Sequence, residues 1–260
     1  MIQLHHQYMK KTQVIVLAAG KGKRMESDGP KALVTLGEKP FLSHVLDMLD
    51  ELPLEYPPVV VVGHQKEKVI EAIGPRYIYA EQTEQLGTGH AVLSAKKHTH
   101  PDHGTVFVSY TDQPFITKET VQKLVSRQQE TGAVICMATT MVPDFEDWRK
   151  GFLGFGRIKR DAENHLIGIV EYKDATDEEK EIKEVNPAYF AFDATWLWEK
   201  LTQLKNDNVQ GEYYITDLVK LAFSENQKIE TVSIDPHEAL GANSKAELEI
   251  LETMLKQKNS

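Results

Sequence analysis

The chain has 260 residues, 41% of them hydrophobic and 27% charged, with a formal net charge of −9 and a single cysteine. That length can bury a sizeable core, the balance is that of a folded globular chain rather than a disordered one, and the acidic surplus argues against a general nucleic-acid or membrane surface. No apolar run approaches the roughly 20 residues of a membrane span, Met1 to Lys11 lacks the apolar core of a signal peptide, and one cysteine allows no internal disulfide, so a cytoplasmic home is expected.

Val14 to Leu17 reads as a buried strand that breaks into the small residues Ala18, Ala19, Gly20 and Gly22. Lys21, Lys23, Arg24 and Lys31 follow. Small residues let backbone N–H groups approach a ligand and cations neutralise an anion, which is the chemistry of a phosphate cradle. The alternative is an ordinary strand exit with solvated lysines. Neither standard phosphate fingerprint fits: Met25 stands where Gly-x-Gly-x-x-Gly needs its last glycine, and no Gly-Lys-Ser/Thr occurs here.

Strand and helix patterns then alternate, the signature of a parallel sheet covered by helices. Ala32 to Leu36 reads as a short strand, Pro40 to Leu52 as a helix, Pro58 to Gly63 as a strand buried on both faces, and Gln65 to Ile73 as a helix stopped by Gly74 and Pro75. Tyr77 to Ala80 is the next strand, leading into the polar, glycine-bearing loop Glu81 to Gly89 and a helix from His90 to Lys97. His98, His100 and His103 have the spacing of metal ligands, but Pro101 and Asp102 mark a solvated turn and no further ligand is near in sequence. Thr105 to Tyr110 is a strand ending at Thr111-Asp112-Gln113-Pro114; helix Lys118 to Glu130 and strand Ala133 to Thr140 complete this half. Cys136 lies inside that last apolar run and reads as a core thiol.

Beyond residue 142 the pattern changes. Arg157-Ile158 and His165 to Val170 flank the turn-like Asp161 to Asn164, which predicts a hairpin. Asp174 to Ile182 reads as an exposed helix and Glu184 to Phe192 as a strand interrupted by Pro187. Helices are expected around Thr195 to Leu204, Tyr213 to Ser224 and Ser244 to Lys256, with a strand at Ile229 to Ile234. The expected organisation is one domain over residues 12–257. Residues 12–142 form its α/β half, residues 143–257 a smaller β-containing lobe with terminal helices, and residues 1–11 a tail.

In parallel sheets, ligands bind beyond the carboxyl ends of the strands. Those ends hold the 18–31 loop, the 82–89 loop and Tyr110 to Asp112, which should converge on one crevice. The Gln82 amide suits a nucleobase edge, or is a surface glutamine. Asp112 suits a Mg²⁺ ligand, or is a turn residue.

Leu17-Ala-Ala-Gly-Lys-Gly-x-Arg-Met25 with Pro30-Lys31 resembles the signature of sugar-1-phosphate nucleotidyltransferases. Gln82 with Gln85-Leu-Gly-Thr-Gly-His-Ala91, Gly154-Phe-Gly-Arg-Ile158, Ile169-Val-Glu-x-Lys-Asp-Ala175, Gln210-Gly-Glu-Tyr-Tyr-Ile-Thr-Asp217 and Gly241-x-Asn243 narrow the resemblance. They are similar to the uridylyltransferase domain of the bacterial N-acetylglucosamine-1-phosphate uridylyltransferases, in order from about residue 13 to 250. The resemblance implies a Rossmann-like, mostly parallel central sheet flanked by helices, with a smaller sugar-binding lobe. It implies that Leu17, Ala18, Ala19 and Gly20, with Gln82, Gly87 and Thr88, hold the uridine end. Arg24 and Lys31 would bind the triphosphate, Asp112 and Asn243 would hold Mg²⁺, and Tyr110, Thr111, Gly156, Glu171, Asn186, Tyr214 and Thr216 would line the sugar side.

The implied partners are small molecules, UTP and a sugar 1-phosphate, with no nucleic acid or membrane and no indication of oligomeric state. A sugar phosphate is largely a dianion at neutral pH, its second pKa being roughly 6, and needs alignment and charge neutralisation rather than a general base to attack the α-phosphorus of UTP. Replacing Lys31 or Asp112 by alanine is therefore expected to abolish most turnover without unfolding the chain. Two departures stand out: Thr111 where the family has glycine, and Asn186-Pro187-Ala188 where it has Asn-x-Gly. Both are expected on the sugar side, leaving UTP better supported than N-acetylglucosamine 1-phosphate and a related hexosamine phosphate open. No hexapeptide-repeat stretch occurs in the 260 residues, so no acetyl-CoA activity is expected. A nucleotidyltransferase using CTP or a polyol phosphate, and a nucleotide-sugar sensor without turnover, are the competing readings.

Overall fold

The structure is a computed structural model and describes residue 9, residues 11–22 and residues 29–258. Its frame is set by a strand that is apolar on both faces. In β1 (Thr12–Leu17) alternate side chains go to opposite sides of the sheet, and both sides are buried. Val14 and Val16 join a core that includes Phe41, Val45 and Leu49 from helix Phe41–Asp50 and Val121 and Leu124 from helix Lys118–Thr131. Ile15 and Leu17 join a second core with Ala91 and Val92 of helix Thr88–Ala95, Leu197 of helix Ala194–Lys200 and Leu218 of helix Asp217–Ser224. The sheet is thus a middle layer with helices on both faces.

β2 (Thr35–Leu36) and β3 (Lys39–Pro40) form a small separate hairpin. β4 (Val59–Val62), β5 (Ile78–Glu81) and β6 (Thr105–Tyr110) join β1 in parallel, in the order β5-β4-β1-β6. Counted along the chain, that order is 3-2-1-4. The chain reverses its direction of winding between β1 and β6, which opens a crevice at their carboxyl ends. The register makes the meeting point definite: Leu17 is level with Tyr110, and Val62 with Glu81. The loops after β1, β5 and β6 therefore leave the same edge of the sheet.

β7 (Ile135–Met141), β8 (Gly156–Arg160), β9 (Leu166–Val170), β10 (Glu184–Asn186), β11 (Phe190–Asp193) and β12 (Ile229–Ser233) extend the sheet to ten strands among the described residues, mixed but mostly pointing one way. β8 and β9 are the expected hairpin. The segment from Glu184 to Asp193 lies antiparallel along β7 but is broken at Pro187-Ala188-Tyr189, as the proline, which has no N–H to give, requires. The break is a fork. β10 turns away to pair with β8, while β11 inserts between β7 and β6. Ala188 takes φ +64 at the fork, the left-handed conformation that glycine holds freely and an L-residue holds at a cost of about 1 kcal/mol. The second lobe exists because of this fork.

Three elements differ from expectation. Lys31–Leu33 is a 3-10 turn ahead of β2, since Pro30 fixes the entry conformation. The helix expected from Tyr213 begins at Asp217, because the backbone of residues 213 and 215 is committed elsewhere. The charged stretch after Asp174 is helical only over Asp177–Lys180, opened by a capping box between Thr176 and Glu179. Cys136 is buried in β7, and its thiol is pushed up to about 12 by burial, with Glu230 adding. It holds its proton at physiological pH and behaves as a small apolar side chain. His100 stacks on Tyr56 and His103 accepts from the Trp198 indole N–H at 2.8 Å. Among the described residues no helix is long and apolar enough to cross a membrane.

Candidate functional site

The cradle after β1 is built by return of the chain. Ala18 N–H still donates to Val61 O at 2.8 Å, and Lys31 N–H donates to Gly20 O at 3.1 Å, closing the loop on its own beginning. Gly22 at φ +64 packs against the Lys31 backbone, where a Cβ would stand 3.3 Å from Lys31 Cα. Leu17, Ala19 and Gly20 face the crevice, whereas the Ala18 side chain turns into the core and offers only backbone. Arg24 and Lys23 lie outside the described residues.

Lys31 is the hub. Its ammonium contacts the Asp112 carboxylate and donates to Asn243 Oδ1 at 2.6 Å, with only 12% of the side chain exposed. Asp112 arrives from the end of β6. Asn243 arrives from 131 positions further along, through Gly241-Ala242: Ala242 N–H donates to Asp112 O at 3.0 Å. A Cβ on Gly241 would stand 2.9 Å from that same oxygen. Glycine is required there because the two backbones touch.

The wall expected to hold the nucleotide is the loop after β5. Gln82 is 3% exposed, its Nε2 donates to Gly87 O at 3.0 Å and lies 3.2 Å from His90 Nδ1, and its Oε1 makes no hydrogen bond among the described residues. An acceptor oxygen is left for a ligand. The loop is fastened from across the molecule by residues 213–215. Tyr213 N–H donates to Leu86 O and Gly89 N–H to Tyr213 O, each at 2.8 Å, and Ile215 N–H donates to Thr88 Oγ1 at 3.0 Å. Gly87 has φ +105, and a Cβ on it would stand 2.6 Å from Tyr213 O. Gln85, Ala91 and Glu212 complete this wall.

On the side expected to take the sugar phosphate, Tyr110 is shared by every part of the cleft, and burial, with the charges of Asp112 and Glu171, raises its phenol well above the ordinary range. Gly156, Glu171, Asn186, Thr216 and Asn243 line the inner part, with Tyr214 further out. A Cβ on Gly156 would approach Glu171 Oε2 to 3.4 Å. Asn186 Oδ1 accepts from Ala188 N–H at 2.9 Å, so the Asn186 amine remains to donate. The turn before β8 is held by Arg157, fully buried, whose guanidinium donates to carbonyls of Phe152, Leu153, Phe155 and Lys180 and lies over the rings of Phe145 and Tyr172. This arginine is structural, and its pKa is lowered by burial.

Glu171 has its carboxyl pKa raised chiefly by burial, with Asp217 and Asp174 adding and the hydrogen bond from Thr216 (3.0 Å to Oε1) opposing. Protonation is thus favoured in the fold relative to the unfolded chain. Stability falls as pH rises from the ordinary glutamate range through the raised value, and the deficit persists above it. Glu171→Gln is expected to melt at a higher temperature than the parent at pH 7, with the difference closing near pH 4. Melts at the two pH values check it, and equal melting temperatures at pH 7 would remove the effect.

Among the described residues the expected ones line one cleft, and Thr111 lies apart from those it was grouped with. Thr111, expected on the sugar side, does not line the pocket of Gly156, Glu171 and Asn186: it is 4% exposed, lies with Leu17, Gln82 and Gly87, and its Oγ1 donates to Leu17 O at 3.3 Å. The β6–β1 register turns it toward the strand that begins the cradle. Ala188, the other departure, lies with Glu171, Thr216 and Asn243. Glu247, at the cleft beside Asn243, escaped the sequence reading although Ser244-x-x-Glu247 is a legible capping-box pattern.

Asp112 and Asn243 offer a carboxylate and an amide oxygen to one point, and a cationic ammonium already stands there. Hard oxygen donors around a cation fit Mg²⁺.

Residues 14–216 match the family described as the MobA-like NTP transferase domain. The chain is 39% identical over 247 residues to the "Bifunctional protein GlmU" of Exiguobacterium sibiricum, covering 95% of this chain and 53% of that protein. It is 40% identical over 235 residues to the protein of the same name from Clostridium acetobutylicum, covering 90% and 50%. The chain spans about half the length of the curated relatives it matches. Among solved structures it superposes on a UDP-glucose pyrophosphorylase complexed with UDP-glucose with a TM-score of 0.71 at 16% identity, over 95% of this chain and 99% of that one. On the 4-diphosphocytidyl-2C-methyl-D-erythritol synthase of Anaerococcus prevotii the TM-score is 0.67 at 15% identity, over 97% and 98%. At these identities the likeness is one of fold.

Proposed function

The chain belongs to the MobA-like NTP transferase family, and from that premise we propose that it is a Mg²⁺-dependent uridylyltransferase. It joins UTP and a hexosamine 1-phosphate, N-acetylglucosamine 1-phosphate being the first candidate, to give a UDP-sugar and pyrophosphate. The observation that carries this reading is the contact of Lys31 with both Asp112 and Asn243 where the two sides of the cleft meet. A phosphorus atom held there would lie between a nucleotide wall and an acceptor wall.

A phosphate oxygen of the acceptor attacks the α-phosphorus of UTP, the bond to the β-phosphate oxygen breaks, and pyrophosphate leaves with that electron pair. The nucleophile is already an anion, so no residue has to remove a proton. What the chain supplies is alignment and relief of anion–anion repulsion. Lys31 supplies a positive charge at the junction. Glu171 and the Asn186 amine face the sugar, accepting from and donating to its hydroxyl or acyl groups. Bound Mg²⁺, held by Asp112 and Asn243, would neutralise charge on the phosphates. Identity of 39% and 40% to the two GlmU proteins supports this reading.

The base preference follows from Gln82. Its Nε2 is engaged by Gly87 O and His90, leaving an oxygen that accepts. Uracil presents a donor at N3 where cytosine presents an acceptor. UTP satisfies the Gln82 oxygen and CTP leaves two acceptors facing each other. Pyrophosphate release should therefore be fastest with UTP when four NTPs are tested with Mg²⁺ and a panel of sugar 1-phosphates. Gln82→Ala should narrow the UTP-to-CTP ratio of kcat/KM by about tenfold, the value of one discriminating hydrogen bond. Release with CTP but not UTP would overturn the base assignment. UDP-sugar binding with no release from any pair would favour a binding protein instead.

A further inference from the structure

We infer that Glu247 is a positioning residue for the candidate metal centre: its carboxylate fixes the backbone of Asn243, so that the Asn243 side-chain oxygen meets Asp112 at a single cation. The inference rests on the metal reading given under Proposed function and adds to it a residue outside the donor set.

Asn243 sits just ahead of the last helix, Lys245–Lys258, in a stretch without regular structure. The helix is entered through a reciprocal pair. Ser244 Oγ accepts from Glu247 N–H at 3.3 Å, and Glu247 Oε2 accepts from Ser244 N–H at 3.0 Å. A capping box normally ends at this point, with the acidic side chain satisfied by the capping residue. Here the same Oε2 reaches one residue further back and accepts from Asn243 N–H at 2.5 Å. The extra bond falls on the residue whose side chain is the proposed metal donor.

Asn243 is thereby held from both sides. Upstream, Ala242 N–H is bonded to Asp112 O, and Gly241 lets the two backbones touch. Downstream, the Glu247 carboxylate closes the turn. Between these anchors the Asn243 side chain is aimed at the Lys31 ammonium, 2.6 Å away, whose other anchor is the Asp112 carboxylate. Removing Glu247 frees one of the two anchors. An amide oxygen is a weak, neutral donor, and Mg²⁺ accepts little departure from octahedral geometry, so the cost of a loosened Asn243 appears as lost metal affinity. The negative charge of Glu247 is itself favoured at a helix N-terminus, so the carboxylate costs the fold nothing there.

The test titrates Mn²⁺ alone into the protein, read by the free-ion EPR signal. Glu247→Ala should weaken Mn²⁺ binding about tenfold and raise the Mg²⁺ concentration for half-maximal turnover by the same factor. Glu247→Gln, whose amide oxygen can accept both N–H groups, should recover most of the affinity. Ser244→Ala removes the other half of the capping box and should lower the melting temperature comparably, yet leave Mn²⁺ affinity at the parent value, because Asn243 N–H keeps its acceptor. Parent-like Mn²⁺ binding by Glu247→Ala would overturn the inference. So would an equal loss in Ser244→Ala, which would mean that helix entry in general is what matters. Parent-like binding by Asp112→Ala, or no binding by the parent even with UTP, would overturn the metal reading itself and this inference with it.

Discussion

Asp112→Asn is expected to lower kcat about a thousandfold while the protein still folds. The substitution is nearly isosteric and keeps one oxygen toward Lys31, but it removes the carboxylate in contact with that ammonium. On the proposed reaction, charge neutralisation at the phosphates supplies most of the rate, and loss of one preorganised charge of this kind costs about 4 kcal/mol of transition-state stabilisation. The cost to the fold is smaller. The pair is partly buried, at 12% and 19% side-chain exposure, and Lys31 keeps both an amide at 112 and Asn243 Oδ1 as acceptors. About 1–2 kcal/mol of stability is at stake, a fall of a few degrees in melting temperature for a chain of this size. Single-turnover pyrophosphate release and a thermal melt separate the two quantities. A kcat within tenfold of the parent would remove Asp112 from the centre of the chemistry.

The positions of the three loops that make the cleft were legible because they are consequences of strand periodicity. A run such as Val14 to Leu17, apolar at every position, must be covered on both faces, and successive strands of that kind separated by helices must run parallel. Their carboxyl ends then share one edge, and Leu17 beside Tyr110 is the result. The fork at Pro187 was half legible. Proline predicts the interruption, but only the pairing partners on either side, β8 and β6, turn an interruption into a division between two lobes.

What escaped the sequence is long-range backbone commitment. Residues 213–215 looked like the first turn of an amphipathic helix, yet their N–H and C=O groups are bonded to Leu86, Gly89 and Thr88. Nothing local announces a bond across more than 120 positions. The same bonds explain Gly87, whose φ and contact with Tyr213 O admit no side chain. Thr111 illustrates a different limit. That it departs from the family glycine was plain, but which wall a strand-end side chain faces is decided by register, and the register turns it toward Leu17. Glu247, by contrast, is legible locally, since its spacing from Ser244 is that of a capping box.

Lys31→Met separates the roles of the cation and its two anchors, and its two effects should have opposite signs. The ammonium stands between Asp112 and Asn243, at the point both donors share. Any divalent ion arriving without nucleotide must displace it, and two cations at one such point repel strongly. Removal of the ammonium leaves an anionic carboxylate and an amide oxygen facing each other with no resident counter-charge. Mn²⁺ alone should then bind more tightly than to the parent, by about tenfold if the lost competition is worth a little over 1 kcal/mol. Turnover should move the other way. When UTP enters, its phosphates offer Lys31 a better partner, and the ammonium then neutralises charge that the methionine cannot. A loss of about 10²–10³ in kcat/KM for UTP is expected, comparable with loss of one oxyanion-type donor. An EPR titration without nucleotide and a steady-state assay with it give the two signs independently. If metal affinity falls together with turnover, Lys31 holds the donors in place instead of occupying their cation site. If neither changes, the contact of Lys31 with Asp112 and Asn243 has no bearing on the reaction.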